Sequence, residues 1–151
     1  MIMENNVELI ASCGMNCAIC ASYLAKKNKV KEKGIKIPYC DGCRPRNKRC
    51  AYLMKSCLLL SEDKVKYCHE CKDFPCHRLK TIDKRYRERY RMSMIDNLIF
   101  IREKGIEKFL LSEKKKWQCP GCGEIISCHN GLCFKCDLEK LYRMENKYHW
   151  E

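Results

Sequence analysis

Fifteen of the 151 residues are cysteines, and they fall mainly in pairs separated by two residues. This C-x-x-C spacing lets two sulfur atoms of one tight turn reach the same metal ion. No stretch approaches the roughly 20 apolar residues that cross a membrane, and the first residues lack a secretory signal, so the sequence predicts a cytoplasmic protein without a membrane partner. Disulfides do not persist in that compartment and an odd number cannot pair completely, so we expect the cysteines to bind metal.

The chain is basic and short of apolar residues. One-third of its residues are charged, and its formal net charge is +12. Four thiolates on one Zn²⁺ carry about −2, so three such sites would lower the net charge to about +6. A chain this small and polar can build only a limited apolar core. We therefore expect metal–sulfur bonds to contribute to the stability of the fold.

The sequence divides into a cysteine-rich metal-binding module (7–80), a helical segment (77–116), a zinc ribbon (117–137) and a terminal helix (138–149). We predict a mainly α-helical, metal-stapled fold that ends in a ribbon of β-hairpin knuckles and a short helix. Apolar periodicity predicts helices over 17–29, 51–60 and 93–109. Asp73 is the expected N-cap of another helix, with Pro75 in its first turn.

The clearest metal motif lies near the C-terminus. It consists of Cys119-Pro120-Gly121-Cys122 and, ten residues later, Cys133-Phe134-Lys135-Cys136. Four thiolates around one ion form a closed site, which contributes folding free energy rather than catalysis. Cys128 and His129 lie between the pairs; either could replace a ligand, although a histidine in this position more often supports a ligand or is merely exposed.

The first module supplies the remaining candidate ligands, which are Cys13, Cys17, Cys20, Cys40, Cys43, Cys57, Cys68, Cys71 and Cys76. They suffice for two four-sulfur sites, giving two to three Zn²⁺ ions in the whole chain. Cys13, Cys17 and Cys20 surround a predicted helix start, where free amides favour thiolates, and Cys76 is one candidate to complete their set. Spacing alone does not group these cysteines, and it leaves the role of Cys50 open.

Three motifs of this module resemble one known family. They are residues 13–20 (CGMNCAIC), 40–44 (CDGCR) and 67–76 (YCHECKDFPC). In their order, and in the CxxCxDFPC ending, they are similar to the domain-of-unknown-function family 3795, and the ribbon looks like an extension of some relatives. The resemblance implies small cysteine-rich proteins that are presumed to bind metal and have no established activity.

Two other metal chemistries compete with zinc. Four-cysteine sets also hold iron–sulfur clusters, which would make the first module a redox or electron-transfer protein, although the bacterial ferredoxin run C-x₂-C-x₂-C-x₃-C-P is absent from the sequence. The spacing of Cys13, Cys17 and Cys20 also matches that of radical S-adenosylmethionine enzymes, but the chain is too short for their barrel.

The expected role is therefore a non-enzymatic binding module without a small-molecule substrate. Lys80, Lys84, Arg87 and Arg91 fall on one helical stripe beside two tyrosines, which suits the phosphates of a nucleic acid. The same stripe fits a solvated helix face with the tyrosines in the core. The expected partner is a nucleic acid or another protein, because zinc knuckles also serve as rigid docking platforms.

Overall fold

The structure, a computed structural model, describes residues 7–45, 53 and 57–151. Its regular elements are helices, which confirms the mainly α-helical prediction. The α-helices are α1 (Ala21–Lys27), α2 (Leu58–Ser61), α3 (His77–Arg89), α4 (Met94–Lys104), α5 (Ile106–Lys116) and α6 (Leu138–Arg143). Three short 3₁₀ turns stand at Cys17–Ile19, Val30–Lys33 and Cys68–Glu70. The predicted helix over 51–60 falls largely outside the described residues.

The long helix predicted over 93–109 is wrong, because the chain forms two helices there. Ser93 begins α4 as expected, and its Oγ accepts a hydrogen bond from the Asp96 N–H at 3.0 Å. Gly105 then adopts φ 92°, a left-handed conformation that ends the helix and starts α5. The two helices pack against each other, and the Phe100 and Phe109 rings meet edge to face.

Two other predicted helix starts also differ from the structure. Residues 17–29 form a 3₁₀ turn and then α1, separated by Cys20 in an extended conformation. Helix α3 begins at His77 after Cys76, so Asp73 is not its N-cap and Pro75 lies before its first turn. In both places a cysteine with an extended backbone occupies the junction.

Two apolar clusters hold the described residues together. The first joins residues 9–19 to α3, α4, α5 and Trp117. The second joins α1 to the C-terminal residues Leu132, Phe134 and Leu141. The C-terminal segment therefore packs on the first module, and the Cys128 N–H donates to the Ile19 carbonyl at 2.8 Å.

The β-hairpins predicted for the zinc ribbon are not supported. Between residues 117 and 137, which the structure describes in full, the β-pairing consists of single bridges, Gln118 to Ile125 and Ile126 to Cys133. With ten residues between the cysteine pairs, the middle of the segment turns tightly, and the Gly131 N–H bonds to the Ser127 carbonyl. Backbone groups there bond within this turn or to the first module, so they are not available for a ladder.

Candidate metal centre

Four sulfur atoms of the C-terminal segment lie together. The Sγ atoms of Cys119, Cys122, Cys133 and Cys136 are all within 4.8 Å of one another. Cys119 and Cys136 are 4.0 Å apart, and Cys122 and Cys133 are 3.5 Å apart. A tetrahedral ion with Zn–S bonds near 2.3 Å requires sulfur–sulfur separations of about 3.8 Å. The four side chains thus fit one tetrahedral metal ion, and this cluster could hold one.

Backbone amides aim at these sulfurs from within the two C-x-x-C turns. The Gly121 N–H donates to Cys119 Sγ at 3.4 Å, and the Cys136 N–H donates to Cys133 Sγ at 3.4 Å. The Cys133 N–H is in turn held by the Asp137 carboxylate at 2.9 Å. Amide donors stabilise a thiolate over a thiol, so both turns are built for negative sulfur.

The ionisation of the cluster differs from one cysteine to another. The backbone N–H groups of Cys122 and Gly121 lower the pKa of Cys119 to about 7. Hydrogen bonding with the Cys122 thiol, followed by burial, raises the pKa of Cys136 to about 12. The Cys119 thiolate therefore forms more readily than that of Cys136, and a bound cation would supply the charge that favours ionisation of the sulfurs around it.

Cys128 and His129 lie in the protein interior and are not members of this cluster. His129 is 4% exposed, and its Nδ1 accepts the Ala21 N–H at 3.1 Å. Its Nε2 is 3.1 Å from the Tyr86 hydroxyl, so the neutral ring carries its proton on Nε2 and donates to that oxygen. Burial lowers the pKa of His129 to about 4. The ring thus connects α1 to α3, a role that sequence spacing did not indicate.

In the first module, the loop that carries Cys40 and Cys43 contacts the turn that carries Cys17 and Cys20, but the sulfurs of these described residues do not form a group within 4.8 Å of one another. The Cys43 N–H donates to Cys17 Sγ at 3.4 Å. The Cys40 N–H donates to the carbonyl of Ser22, two residues beyond Cys20, at 3.2 Å. The loop that carries Cys40 and Cys43 is therefore folded across the turn that carries Cys17 and Cys20.

A second group of first-module cysteines lines a cavity of about 450 Å³. Cys57, Cys68, Cys71 and Cys76 contribute to its wall, together with apolar side chains such as Leu60, Phe74 and Leu79. Cys13 is 3% exposed and belongs to the apolar core below this region. Cys50 lies outside the described residues. The structure thus separates the first-module candidates into two groups and places Cys13 in neither.

Two residues of the predicted basic stripe have structural partners. Arg87 Nε is 2.8 Å from Oδ2 of Asp83, a carboxylate that is 1% exposed, and the Arg91 guanidinium lies 4.0 Å from the ring centre of Trp150. Lys80 and Lys84 are exposed on the same helix. Tyr86 and Tyr90 pack edge to face against His129. The tyrosines therefore face the interior, whereas all four cations of the stripe are exposed to solvent.

Arg44, the last residue of the CDGCR motif, is bound within the first module. Its Nε donates to the Ile10 carbonyl at 2.7 Å, and an Nη donates to the Lys66 carbonyl at 2.6 Å. Its guanidinium also lies 4.7 Å from the centre of the Tyr67 ring. Arg44 thus joins three loops of the first module. Its place directly after a C-x-x-C pair, at the end of the CDGCR motif, was the available signal.

The comparisons agree with the motifs. The family model described as "Protein of unknown function (DUF3795)" matches residues 9–81. No curated protein and no solved structure matches the chain. Among the described residues, no helix has the length and apolarity needed to cross a membrane.

Proposed function

We propose that the chain, whose residues 9–81 match the model of a family of unknown function (DUF3795), is a non-enzymatic zinc-binding module. In this proposal Cys119, Cys122, Cys133 and Cys136 hold one Zn²⁺ as thiolates. The ion fixes the C-terminal segment, which covers α1 of the first module. Soft thiolate ligands suit zinc, and their reduced form suits the cytosol, where we place the protein.

One observation carries this proposal: the four sulfurs already stand at the separations of a tetrahedral site. The Sγ–Sγ distances of 3.5 Å for Cys122 and Cys133 and 4.0 Å for Cys119 and Cys136 lie on either side of the roughly 3.8 Å that tetrahedral zinc requires. A set of four protein ligands leaves zinc no position for water or substrate. The chemistry supplied by the ion is therefore folding free energy rather than Lewis-acid catalysis.

Metal analysis of a paired set of variants tests this site. Cys122 and Cys136 are exposed, so replacing both by serine removes two ligands without opening the core. We expect Cys122→Ser/Cys136→Ser to lose one equivalent of zinc, measured by elemental analysis of the full chain. Lys135→Ala, in the same turn, is the control and should keep the full complement. Unchanged zinc in the double cysteine variant would contradict the proposal.

The cavity of the first module favours a second function, electron transfer by an iron–sulfur cluster. Four cysteines line about 450 Å³ of space beside apolar walls, more room than one tetrahedral ion occupies. Purification without oxygen separates the two functions. A brown protein with iron, acid-labile sulfide and visible absorption lost in Cys68→Ser/Cys71→Ser supports a cluster in the cavity. Colourless protein with two to three zinc ions supports zinc throughout.

We further propose a macromolecular partner, with nucleic acid as the first candidate. Lys80 and Lys84 are exposed on α3, and Lys114, Lys115 and Lys116 are exposed at the end of α5. Cations that contact phosphates release counterions, so the affinity should fall steeply with salt. We expect Lys80→Ala/Lys84→Ala to weaken binding to mixed DNA and RNA and to reduce the salt slope by about 1 to 2 units. Lys36→Ala/Lys140→Ala removes the same charge elsewhere and is the control.

If the wild-type chain does not bind DNA or RNA even at low salt, the partner is a protein instead. The exposed apolar side chains Leu58, Leu111 and Tyr142 would then be the first positions to test.

A further inference from the structure

A cleft of about 250 Å³ lies between part of the first module and α5. Residues 16–19 and α1 line one side of it, and α5 and residues 123–125 line the other. Its lining residues all belong to the part of the chain that the structure describes, and none of them is a cysteine. The volume is below the roughly 300–1,000 Å³ of pockets for drug-sized ligands. The cleft is therefore separate from the metal candidates and has room for one ring system.

Two buried polar side chains, those of Asn16 and Glu113, line this cleft. They are 4% and 7% exposed. Asn16 Nδ2 donates to Glu113 Oε1 at 3.2 Å, and Asn16 Oδ1 accepts the Ala18 N–H at 3.0 Å, so the pair is held in place. Burial raises the pKa of Glu113, and the Asn16 amide offsets this rise only in part. A carboxylate has about four acceptor positions, and further N–H donors from a ligand would stabilise it in this setting.

Apolar side chains form much of the wall of the cleft. Leu9, Ile19 and Leu110 are buried there, and Tyr23 and Ile125 are half-buried. In ligand pockets, walls of this kind contact the faces of a ring, and a few polar groups fix its orientation. The cleft thus favours an aromatic ligand whose edge carries N–H groups for the carboxylate.

The exposed side chains of the cleft are charged. Lys27 of α1 and Lys114 of α5 lie on its two sides, and Glu124 is the third exposed side chain. The two ammonium groups outweigh this one carboxylate, so the entrance favours an anionic group such as phosphate. They also disfavour a simple organic cation, which a buried carboxylate would otherwise attract. A suitable ligand therefore combines N–H donors at its inner end with negative charge at its outer end.

A guanine nucleotide has this distribution of groups. The N1–H and N2–H groups of guanine lie on one edge of the ring and can both donate to one carboxylate. Adenine and cytosine present a single amino group, and uracil presents a single ring N–H, so none of them offers two N–H groups on neighbouring atoms. The phosphate of the nucleotide is joined through the sugar and lies away from this edge.

We propose that the cleft binds a guanine base that carries a phosphate, with Glu113 as the acceptor for the base and Lys27 and Lys114 as the contacts for the phosphate. The base belongs to a free guanine nucleotide or to an unpaired position of a nucleic acid strand. The second source rests on the proposed function, because it makes the cleft the place where the nucleic-acid partner is recognised. The first source does not depend on it.

Calorimetric titration of the full chain with guanosine monophosphate and adenosine monophosphate at low salt tests the free nucleotide. We expect the guanine nucleotide to bind about tenfold more tightly. Glu113→Gln keeps an acceptor for Asn16 but places an amide N–H near the guanine donors, so it should remove this preference. Glu124→Gln removes the same charge at the entrance and is the control, which should keep the preference. An equal preference in wild type and Glu113→Gln would overturn the proposal.

Fluorescence anisotropy with labelled single-stranded RNA tests the second source. One strand contains only uridine, and the other has a single guanosine at its centre. The guanosine should tighten binding about tenfold in the wild type and should have no effect in Glu113→Gln. Lys27→Ala/Lys114→Ala should weaken binding of this strand and reduce the salt slope by about 1 unit. Lys36→Ala/Lys140→Ala removes the same charge outside the cleft and is the control.

The two titrations separate failure of the cleft from failure of the proposed function. If both strands bind equally well and neither nucleotide binds, the cleft assignment is wrong and the nucleic-acid partner stands. If guanosine monophosphate binds with the expected dependence on Glu113 but neither strand binds, the cleft assignment is right and the nucleic-acid partner is wrong. If no probe binds at low salt, both are wrong.

Chemical-shift mapping on the wild type covers the case in which Glu113→Gln does not fold. Guanosine monophosphate, or the guanosine strand if only that probe binds, is added to isotope-labelled protein. The amide signals of Ala18, Gly123 and Ile125, which line the cleft, should shift, whereas those of Gly34 and Gly105, which lie outside it, should not. Shifts confined to residues outside the cleft would overturn the proposal.

Discussion

Acid should destabilise this protein through the buried ring of His129. Burial lowers the pKa of His129 from 6.5 to about 4, so the folded state binds its proton less readily than the unfolded state. The folded protein is therefore fully stable with respect to this group above pH 6.5 and loses stability as the pH falls from 6.5 to about 4. A shift of about 2.5 units corresponds to roughly 3.4 kcal/mol once the pH is below both values.

Most of this effect falls within an accessible range of pH. Between pH 7.5 and pH 5.0 the difference in proton binding lowers the free energy of unfolding by about 2 kcal/mol. The reason is structural: Nδ1 already accepts the Ala21 N–H, so a proton added there breaks that bond in the interior.

Urea unfolding of wild type and His129→Gln at these two pH values measures the effect. Glutamine offers an acceptor and a donor but does not titrate, and metal loss in acid affects both proteins alike. We expect the wild type to lose about 2 kcal/mol more than the variant between pH 7.5 and pH 5.0. Equal losses in the two proteins would refute the assignment of a neutral, buried ring.

Three other predictions follow from the contacts. Asp83→Ala should lower the free energy of unfolding by about 2 kcal/mol, because the Ser93 hydroxyl and the Ile95 N–H lose their buried acceptor. The exposed Glu88→Ala should cost under about 0.5 kcal/mol, and similar losses in the two variants would contradict this reasoning. Gly14→Ala should cost more than Gly105→Ala in chemical unfolding, because both have φ near +90° but only Gly14 would place Cβ 2.6 Å from the Met94 carbonyl. Chelation under reducing conditions should lower the melting temperature, and Zn²⁺ should restore it; an unchanged melt would show that the metal does not support the fold.

Local signals in the sequence were sufficient where the structure depends on neighbouring residues. The helix predicted to start at Ser93 does start there, and the Ser93 side chain caps it. The four C-terminal cysteines were grouped correctly in space because ten residues join the two pairs, and so short a loop brings them together. Periodicity indicated the mainly helical class, and three motifs indicated the family whose model matches residues 9–81.

The parts that escaped prediction depend on contacts between distant residues. The meeting of Cys17 with Cys43 requires a loop to fold over a turn 26 residues away. The role of His129 depends on the Ala21 N–H, 108 residues away, and on the Tyr86 hydroxyl. The burial of the Asp83 carboxylate beside the exposed Arg87 was also not indicated by spacing. The spacing of cysteines in the sequence indicates which of them share a turn. Which of the ten cysteines of the first module lie near one another is determined by the packing of distant segments.

The link between Ile19 and Cys128 has a consequence for how the chain is made. The first module is synthesised before the residues that cover it. The Ile19 carbonyl and the Ala21 N–H therefore remain hydrated until Cys128 and His129 have been synthesised. Trp150 is synthesised later still, and its indole N–H donates to the Cys128 carbonyl at 2.7 Å. A nascent chain stalled before residue 128 would therefore expose its early cysteines to whatever metal or oxidant the cell offers.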